Sequence, residues 1–216
     1  MSGYRLHGYW RSGATYRVRI ALGLKQLGWE TVPINLLAPA GGAHLSASYR
    51  ATNPQAQVPT LELPDGRRLT QSLAIIEFLE EAHPAPALLP SDRYLRARTR
   101  ALAEVVNSGI QPLHNLTVAR RLKAAGVDDA AWAKDVVTTG LTAFAALLAD
   151  VAGTCCVGDA PSLADVLLVP QLYSARRYGV DLATLPRLTA IEAHLHDHHP
   201  AFAAAHPDRQ PDAVAS

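Results

Sequence analysis

Cysteine is scarce in this chain of 216 residues: there are two, Cys155 and Cys156, side by side. Neighbouring cysteines do not comfortably reach disulfide geometry. The pair has neither metal-ligand spacing nor a CxxC redox motif, so it reads as two thiols in or near packed structure in a reducing compartment. A surplus of charge is lacking too. With 20 basic and 19 acidic residues the formal net charge is +1, which offers no long-range attraction to nucleic acid or an anionic bilayer. Any anionic ligand must therefore be held by a local site. The apolar run LTAFAALLADVAGTCCVG is broken by Asp150 and too mixed for a membrane span. MSGYRLHGYW is not a basic segment followed by a long apolar one, so it does not read as a signal peptide, and the cytoplasm is expected. Internal repeats are absent, as are GxxxxGK[ST], HExxH and GxSxG, which removes common nucleotide, metalloprotease and hydrolase readings.

What is present is the composition of a globular protein, 49% hydrophobic and 18% charged, with a change of rhythm partway along. YRLHGYW reads as a short strand. The next stretch predicts a helix carrying Val18, Ile20, Ala21, Leu24 and Leu27 and closed by Gly28. TVPINLL supplies a second strand, and a small helix or irregular connection is expected near His44 to Tyr49. QVPTLEL and RRLT flank Pro64-Asp65-Gly66, a hairpin signal. SLAIIEFLEEAH predicts a helix with Leu73, Ile76 and Leu79 inward and Ser72 as its cap. This order suits a small mixed sheet covered by helices, over residues 1–83. After the proline-rich PAPALLPSDR only helical patterns follow, over 91–205. These are a long helix kinked around Pro112, a second from AAWAKDVV, a third from PSLADVLLVP and a fourth from LPRLTAIEAH. The polar tail HPDRQPDAVAS is expected to fray. Ser162 to Asp165 has capping-box spacing and reads as a folding element.

Candidate chemistry sits at the junctions. Ser12 opens the first helix, where it can cap, and where exposed N–H groups and the positive helix end also suit a carboxylate or thiolate. Arg11 adds charge beside it. Val58 precedes Pro59 at a strand start, and a cis bond there would expose the Val58 backbone to pairing by a ligand peptide. Arg176 and Arg177 close the third helix, either as cations on its dipole or as a pair for a dicarboxylate. His194, His196, His198 and His199 lack accompanying carboxylate or cysteine ligands and read as surface histidines.

The junction WRSGATYRVRIAL, with NPQAQVPTLEL, LTQSLAIIEFLEE, IQPLHNLTV and LADVLLVPQLYSARRYGVDL, resembles the zeta-class glutathione S-transferases, in order and over nearly the whole chain. The resemblance implies an α/β thioredoxin-like N-terminal domain plus an all-α C-terminal domain, working as a homodimer without metal. It implies glutathione as a regenerated cosubstrate and cis–trans isomerisation of a small dicarboxylate. The expected substrate is maleylacetoacetate, of tyrosine and phenylalanine breakdown. Maleylpyruvate, general transferase activity and a catalytically silent glutathione-binding protein are the alternatives.

By the same resemblance Ser12 stabilises the glutathione thiolate, while Gly13 and Ala14 stand where the family has a second serine and a cysteine. The Val58 backbone pairs with the cysteinyl part, before a Pro59 whose peptide bond is expected to be cis, and Gln71 and Ser72 hold the γ-glutamyl group. His44 falls near the glycyl end, where the family has glutamine. Gln111, Asn115, Leu116 and Thr117 are the helical domain's share of the glutathione site. Arg11 and Arg177 bind substrate carboxylates, with Arg176, where the family often has glutamate, as a further cation.

Overall fold

The computed structural model describes residues 3–39 and 41–214. It divides into two compact units: residues 1–86 with 199–216, and residues 87–198. The first begins with β1 (Tyr4–Gly8), α1 (Gly13–Leu24) and β2 (Trp29–Pro33), a parallel strand–helix–strand unit. After a 3₁₀ turn at Ala43–Leu45 come α2 (Ala47–Thr52), β3 (Thr60–Glu62), β4 (Arg68–Thr70) and α3 (Ser72–Ala82). The sheet order is β2-β1-β3-β4, with β1–β3 and β3–β4 antiparallel. The expected hairpin turns through Gly66, whose φ of 85° needs no Cβ to be accommodated.

The core of this unit lies between the sheet and α1 and α3, with Leu6, Val18, Ile20, Leu61, Ile75, Ile76 and Leu79 buried. Three local expectations are corrected. α1 is buried all round from Thr15 to Leu22, while Leu24 and Leu27 are only partly covered. Its end is turned by Gln26, at φ 55°, and not by Gly28. Lys25, beyond the last apolar turn, is buried as well, its ammonium donating 2.7 Å bonds to the carbonyls of His83 and Pro86 beside Glu80. In α3 the residue before the helix is Gln71, at φ 68°, and Ser72 lies inside the first turn.

The second unit is helical among its described residues. The expected long helix is broken into α4 (Arg93–Glu104), a π-helical stretch Val105–Ile110, a 3₁₀ turn Gln111–His114 and α5 (Leu116–Ala124). Pro112 has no N–H to continue the ladder, and Asn115 starts the next helix by accepting from the Val118 amide at 3.0 Å. α6 (Asp129–Leu147) crosses the π-helical stretch so closely that a Cβ on Gly140 would meet Ile110 at 2.3 Å. α7 (Leu163–Arg177) is the central element, buried continuously from Leu163 to Leu172, and α8 (Pro186–His198) packs against it. The capping box forms at its start. Asp165, fully buried, accepts from the Ser162 amide and hydroxyl and from the Cys156 amide, all within 2.8 Å. On α8 the rings of His194 and His198 stack 4.3 Å apart.

The chain then returns to the first unit, so the helical unit ends at 198 and not at 205. α9 (Pro200–Ala204) lies against α1, where Tyr16 Oη donates to the Phe202 carbonyl and Arg19 Nε to the Ala205 carbonyl at 3.1 Å. Nor does the tail fray over its described part: a 3₁₀ turn forms at Pro207–Arg209, and Asp212 accepts from the Trp10 amide at 3.0 Å. Buried donors on α1 and at Trp10 give this polar segment its partners.

Candidate active site

In the first unit the loop from β1 to α1 is short because the Ser12 amide turns back to the Tyr9 carbonyl at 3.0 Å. Ser12 has extended backbone angles and caps α1, its Oγ accepting from the Thr15 amide at 3.2 Å. That leaves the hydroxyl proton for another acceptor. The Gly13 and Ala14 amides belong to the first turn, whose N–H groups have no partner within the helix. Thr15 does not share this opening. It is buried, and its methyl lies where a Cβ on Gly8 would be, 2.3 Å away. The Arg11 guanidinium stacks over the Trp10 ring, 5.3 Å from its centroid.

Beside α1, the Val58–Pro59 bond is cis, as expected. The preceding carbonyl of Gln57 accepts from Tyr49 Oη and Asn53 Nδ2, both at 2.8 Å. Asn53 Oδ1 also accepts from the Gln55 amide at 3.0 Å. Tyr49 and Asn53 were not singled out from the sequence. The Asn53-Pro54 dipeptide is a turn signal that could have drawn attention to the second.

Gln71 is exposed and donates to Gln55 Oε1 at 2.7 Å. Ser72 is buried beneath it, its Oγ accepting from Arg17 Nη1 at 3.3 Å. His44 is buried under Gly42, where a Cβ would meet its ring at 2.5 Å. The thioredoxin-like unit thus brings Ser12, Gly13 and Ala14 to one helix start and builds Val58, Gln71 and Ser72 on the adjoining strand and helix ends.

The second unit holds the other candidates. Gln111 starts the 3₁₀ turn that ends at His114. The His114 ring meets the buried amide of Gln171 at 3.3–3.4 Å and the Tyr178 ring edge-on at 5.3 Å. Trp132 Nε1 donates to the Leu113 carbonyl at 2.8 Å, tying α6 to this turn. Leu113, His114, Leu122, Asp129, Trp132 and Tyr178 border a small cavity of about 20 Å³, the size of one water. Asn115 is occupied as the cap of α5, with Leu116 and Thr117 in the first turn.

The two arginines of α7 diverge in use. Arg176 forms a two-point ion pair with the buried Glu192. Arg177 is exposed, its guanidinium 5.8 Å from the Tyr178 ring centroid. The protein's own thiols do not suit nucleophilic work. Burial pushes the Cys155 thiol up to about 12 and Cys156 well above its usual range.

A small mixed sheet with a polar helix start beside a cis-proline strand, joined to a helical unit, is the architecture of a glutathione-binding transferase. Residues 6–87 match the family model for the glutathione S-transferase N-terminal domain. Maleylacetoacetate isomerase of Pseudomonas aeruginosa is 47% identical over 215 residues, 98% of this chain and 100% of that one. The crystal structure of maleylacetoacetate isomerase from Anaeromyxobacter dehalogenans with bound GSH is 49% identical, with a TM-score of 0.89 and 98% of both chains covered. The same protein has been solved with bound dicarboxyethyl glutathione and citrate. The holo structure of a maleyl pyruvate isomerase, a bacterial zeta-class glutathione S-transferase, is 41% identical with a TM-score of 0.92, covering 97% of this chain and 100% of that one. The chain belongs to the glutathione S-transferase family, in its zeta-class maleylacetoacetate isomerase branch.

Proposed function

We propose that this protein is a glutathione-dependent isomerase that converts maleylacetoacetate to fumarylacetoacetate. The observation that carries the reading is Ser12 at the open start of α1, in a chain whose own two thiols are buried. Glutathione, when bound, supplies a thiolate that adds reversibly to the conjugated cis double bond and so lets it rotate as a single bond.

The residues present fit that group. The Ser12 hydroxyl proton is available to the thiolate while its oxygen serves the Thr15 amide. The first-turn N–H groups of Gly13 and Ala14 favour the same negative charge, which shifts the thiol toward ionisation near neutral pH. The Val58 backbone would pair with the cysteinyl peptide, and Gln71 and Ser72 would take the γ-glutamyl group. His44, Gln111, Asn115, Leu116 and Thr117 complete the glutathione set in this reading. Arg11 and Arg177 neutralise the substrate carboxylates and the charge that builds as the thiolate adds. The dicarboxyethyl glutathione bound by the Anaeromyxobacter relative is the kind of adduct such a site must accommodate.

Maleylpyruvate is the second reading, favoured by the likeness to the holo maleyl pyruvate isomerase. Its keto acid needs a cation closer in, the role open to Arg176. The two-point pair with Glu192 already occupies that guanidinium, which supports maleylacetoacetate. The test is kcat/KM for both substrates with reduced glutathione, in wild type and in Arg176→Ala. The expected outcome is a preference for maleylacetoacetate that the substitution changes by less than about threefold, a difference under about 1 kcal/mol. Its main cost is stability, about 1–2 kcal/mol, from leaving Glu192 unpaired. A tenfold preference for maleylpyruvate that vanishes in Arg176→Ala would reverse the assignment. The reading further places the protein in the cytoplasm and makes it a two-fold homodimer.

A further inference from the structure

The segment that returns from the helical unit ends against the loop that carries Arg11 and Ser12. Its Asp212 Oδ2 accepts from the Trp10 amide at 3.0 Å. The other oxygen of this carboxylate, Oδ1, is buried and meets no donor among the described residues. A buried carboxylate oxygen without a donor costs stability, and the one hydrogen bond this carboxylate makes is to the Trp10 amide.

The opposite side of the same residue is held as well. The Trp10 carbonyl accepts from Arg19 Nη2 at 2.9 Å, and Arg19 Nε donates to the Ala205 carbonyl at 3.1 Å. Both polar backbone atoms of Trp10 are therefore clamped by groups belonging to, or bonded to, the returning segment. Trp10 is itself buried and lies inside the turn that carries Arg11 and Ser12. The Arg11 guanidinium lies over its ring, and the Ser12 amide closes the turn onto Tyr9.

We propose that Asp212 is a positioning residue for the Trp10–Ser12 loop, acting through the Trp10 amide to place the Ser12 hydroxyl and the Arg11 guanidinium for the reaction. The proposal rests on the reading that Ser12 faces the glutathione thiolate. A chain that loses this bond keeps its glutathione contacts at Val58, Gln71 and Ser72. Binding is then largely retained, while thiolate stabilisation and turnover fall.

The test compares wild type with Asp212→Ala, Asp212→Asn and Asp208→Ala, an exposed carboxylate on the same segment that serves as a charge-matched control. The readouts are kcat and KM for glutathione in maleylacetoacetate isomerisation, the pKa of bound glutathione from the ultraviolet absorbance of its thiolate, and the thermal midpoint. Asp212→Ala is expected to lower kcat about tenfold, equivalent to about 1.4 kcal/mol. KM should stay within about twofold, and the bound thiol pKa should rise measurably. Asp212→Asn keeps an acceptor for the Trp10 amide and should restore most of the lost turnover, and Asp208→Ala should match wild type. If Asp212→Ala does not fold, Asp212→Glu replaces it, since the added methylene carries the carboxylate off the amide and should lower kcat similarly. Asp212→Ala, or Asp212→Glu in its place, with a lowered midpoint but unchanged kcat and thiol pKa overturns the proposal alone. Wild type without glutathione-dependent turnover overturns the functional reading and this proposal with it.

Discussion

In the proposed reaction Ser12 does two things at once, and its geometry allows both. The oxygen accepts from the Thr15 amide, and the proton remains for a thiolate. Ser12→Ala should therefore lose a cap worth about 1 kcal/mol together with a donor to developing charge, worth on the order of tenfold to a hundredfold in kcat. KM for glutathione should change far less, because this contact is one among several. Steady-state kinetics alongside chemical denaturation separate the two losses. Undiminished kcat would assign the role to the Gly13 and Ala14 amides, since the buried Thr15 is turned toward Gly8. At this scale the sequence is an uneven guide. Ser12 was legible as the cap of α1 because it stands at a punctuated junction of strand and helix, whereas Ser72, expected as a cap, lies inside the first turn of α3. Asp212 was not: its partner Trp10 lies 202 residues away, and no periodicity or spacing links such a pair. Glu192, 16 residues from Arg176, was missed for the same reason.

Among the elements, the sheet carries a charge cluster whose titration is readable from its environment. Glu62 on β3 accepts from Arg5 on β1 and Arg68 on β4, and those bonds hold its carboxyl below the usual 4.5. His7, buried on β1 with Nε2 3.6 Å from Glu62, has its pKa lowered from 6.5, chiefly by burial. Both folded pKa values lie below the unfolded ones, so in each case acidification loads protons onto the unfolded chain first. Stability should fall in two stages as pH drops, from about 6.5 downward as His7 titrates and again from 4.5 downward as Glu62 does. Thermal midpoints across that range check this. His7→Gln should flatten the first stage, and Glu62→Gln should reduce the second, to which Asp65, Asp150 and Asp159, also held below their usual range, contribute as well; an unchanged profile in both variants would refute it. The elements themselves were largely legible, because apolar spacing, the Pro64-Asp65-Gly66 turn and the Ser162–Asp165 box are local signals. What escaped was the break of one expected helix into four pieces and the left-handed residues Gln26 and Gln71, where glycine would be the ordinary choice.

For the whole molecule, the proposed homodimer predicts a mass twice the 23.1 kDa of the chain. Light scattering at micromolar concentration measures this directly, and a monomer there would remove the dimer. Among the described residues no helix is long and apolar enough to cross a membrane. The two-unit plan was legible in the shift from mixed strand–helix patterns to helical ones alone. The ownership of residues 199–214 was not, since a polar segment with prolines gives no sign of which surface will satisfy it.

That return has a bearing on how the protein is made. A ribosome delivers the β1–α1 loop early and the segment that clamps it only after the entire helical unit has emerged. The sheet and its first helices can gather early, but Arg19, Tyr16 and the Trp10 amide wait for the carbonyls of Phe202 and Ala205 and for the carboxylate of Asp212. A nascent chain thus completes the contacts of this loop only after the helical unit has been made, and a chain interrupted just beyond that unit would keep most of its folded elements while lacking the contacts that finish this one.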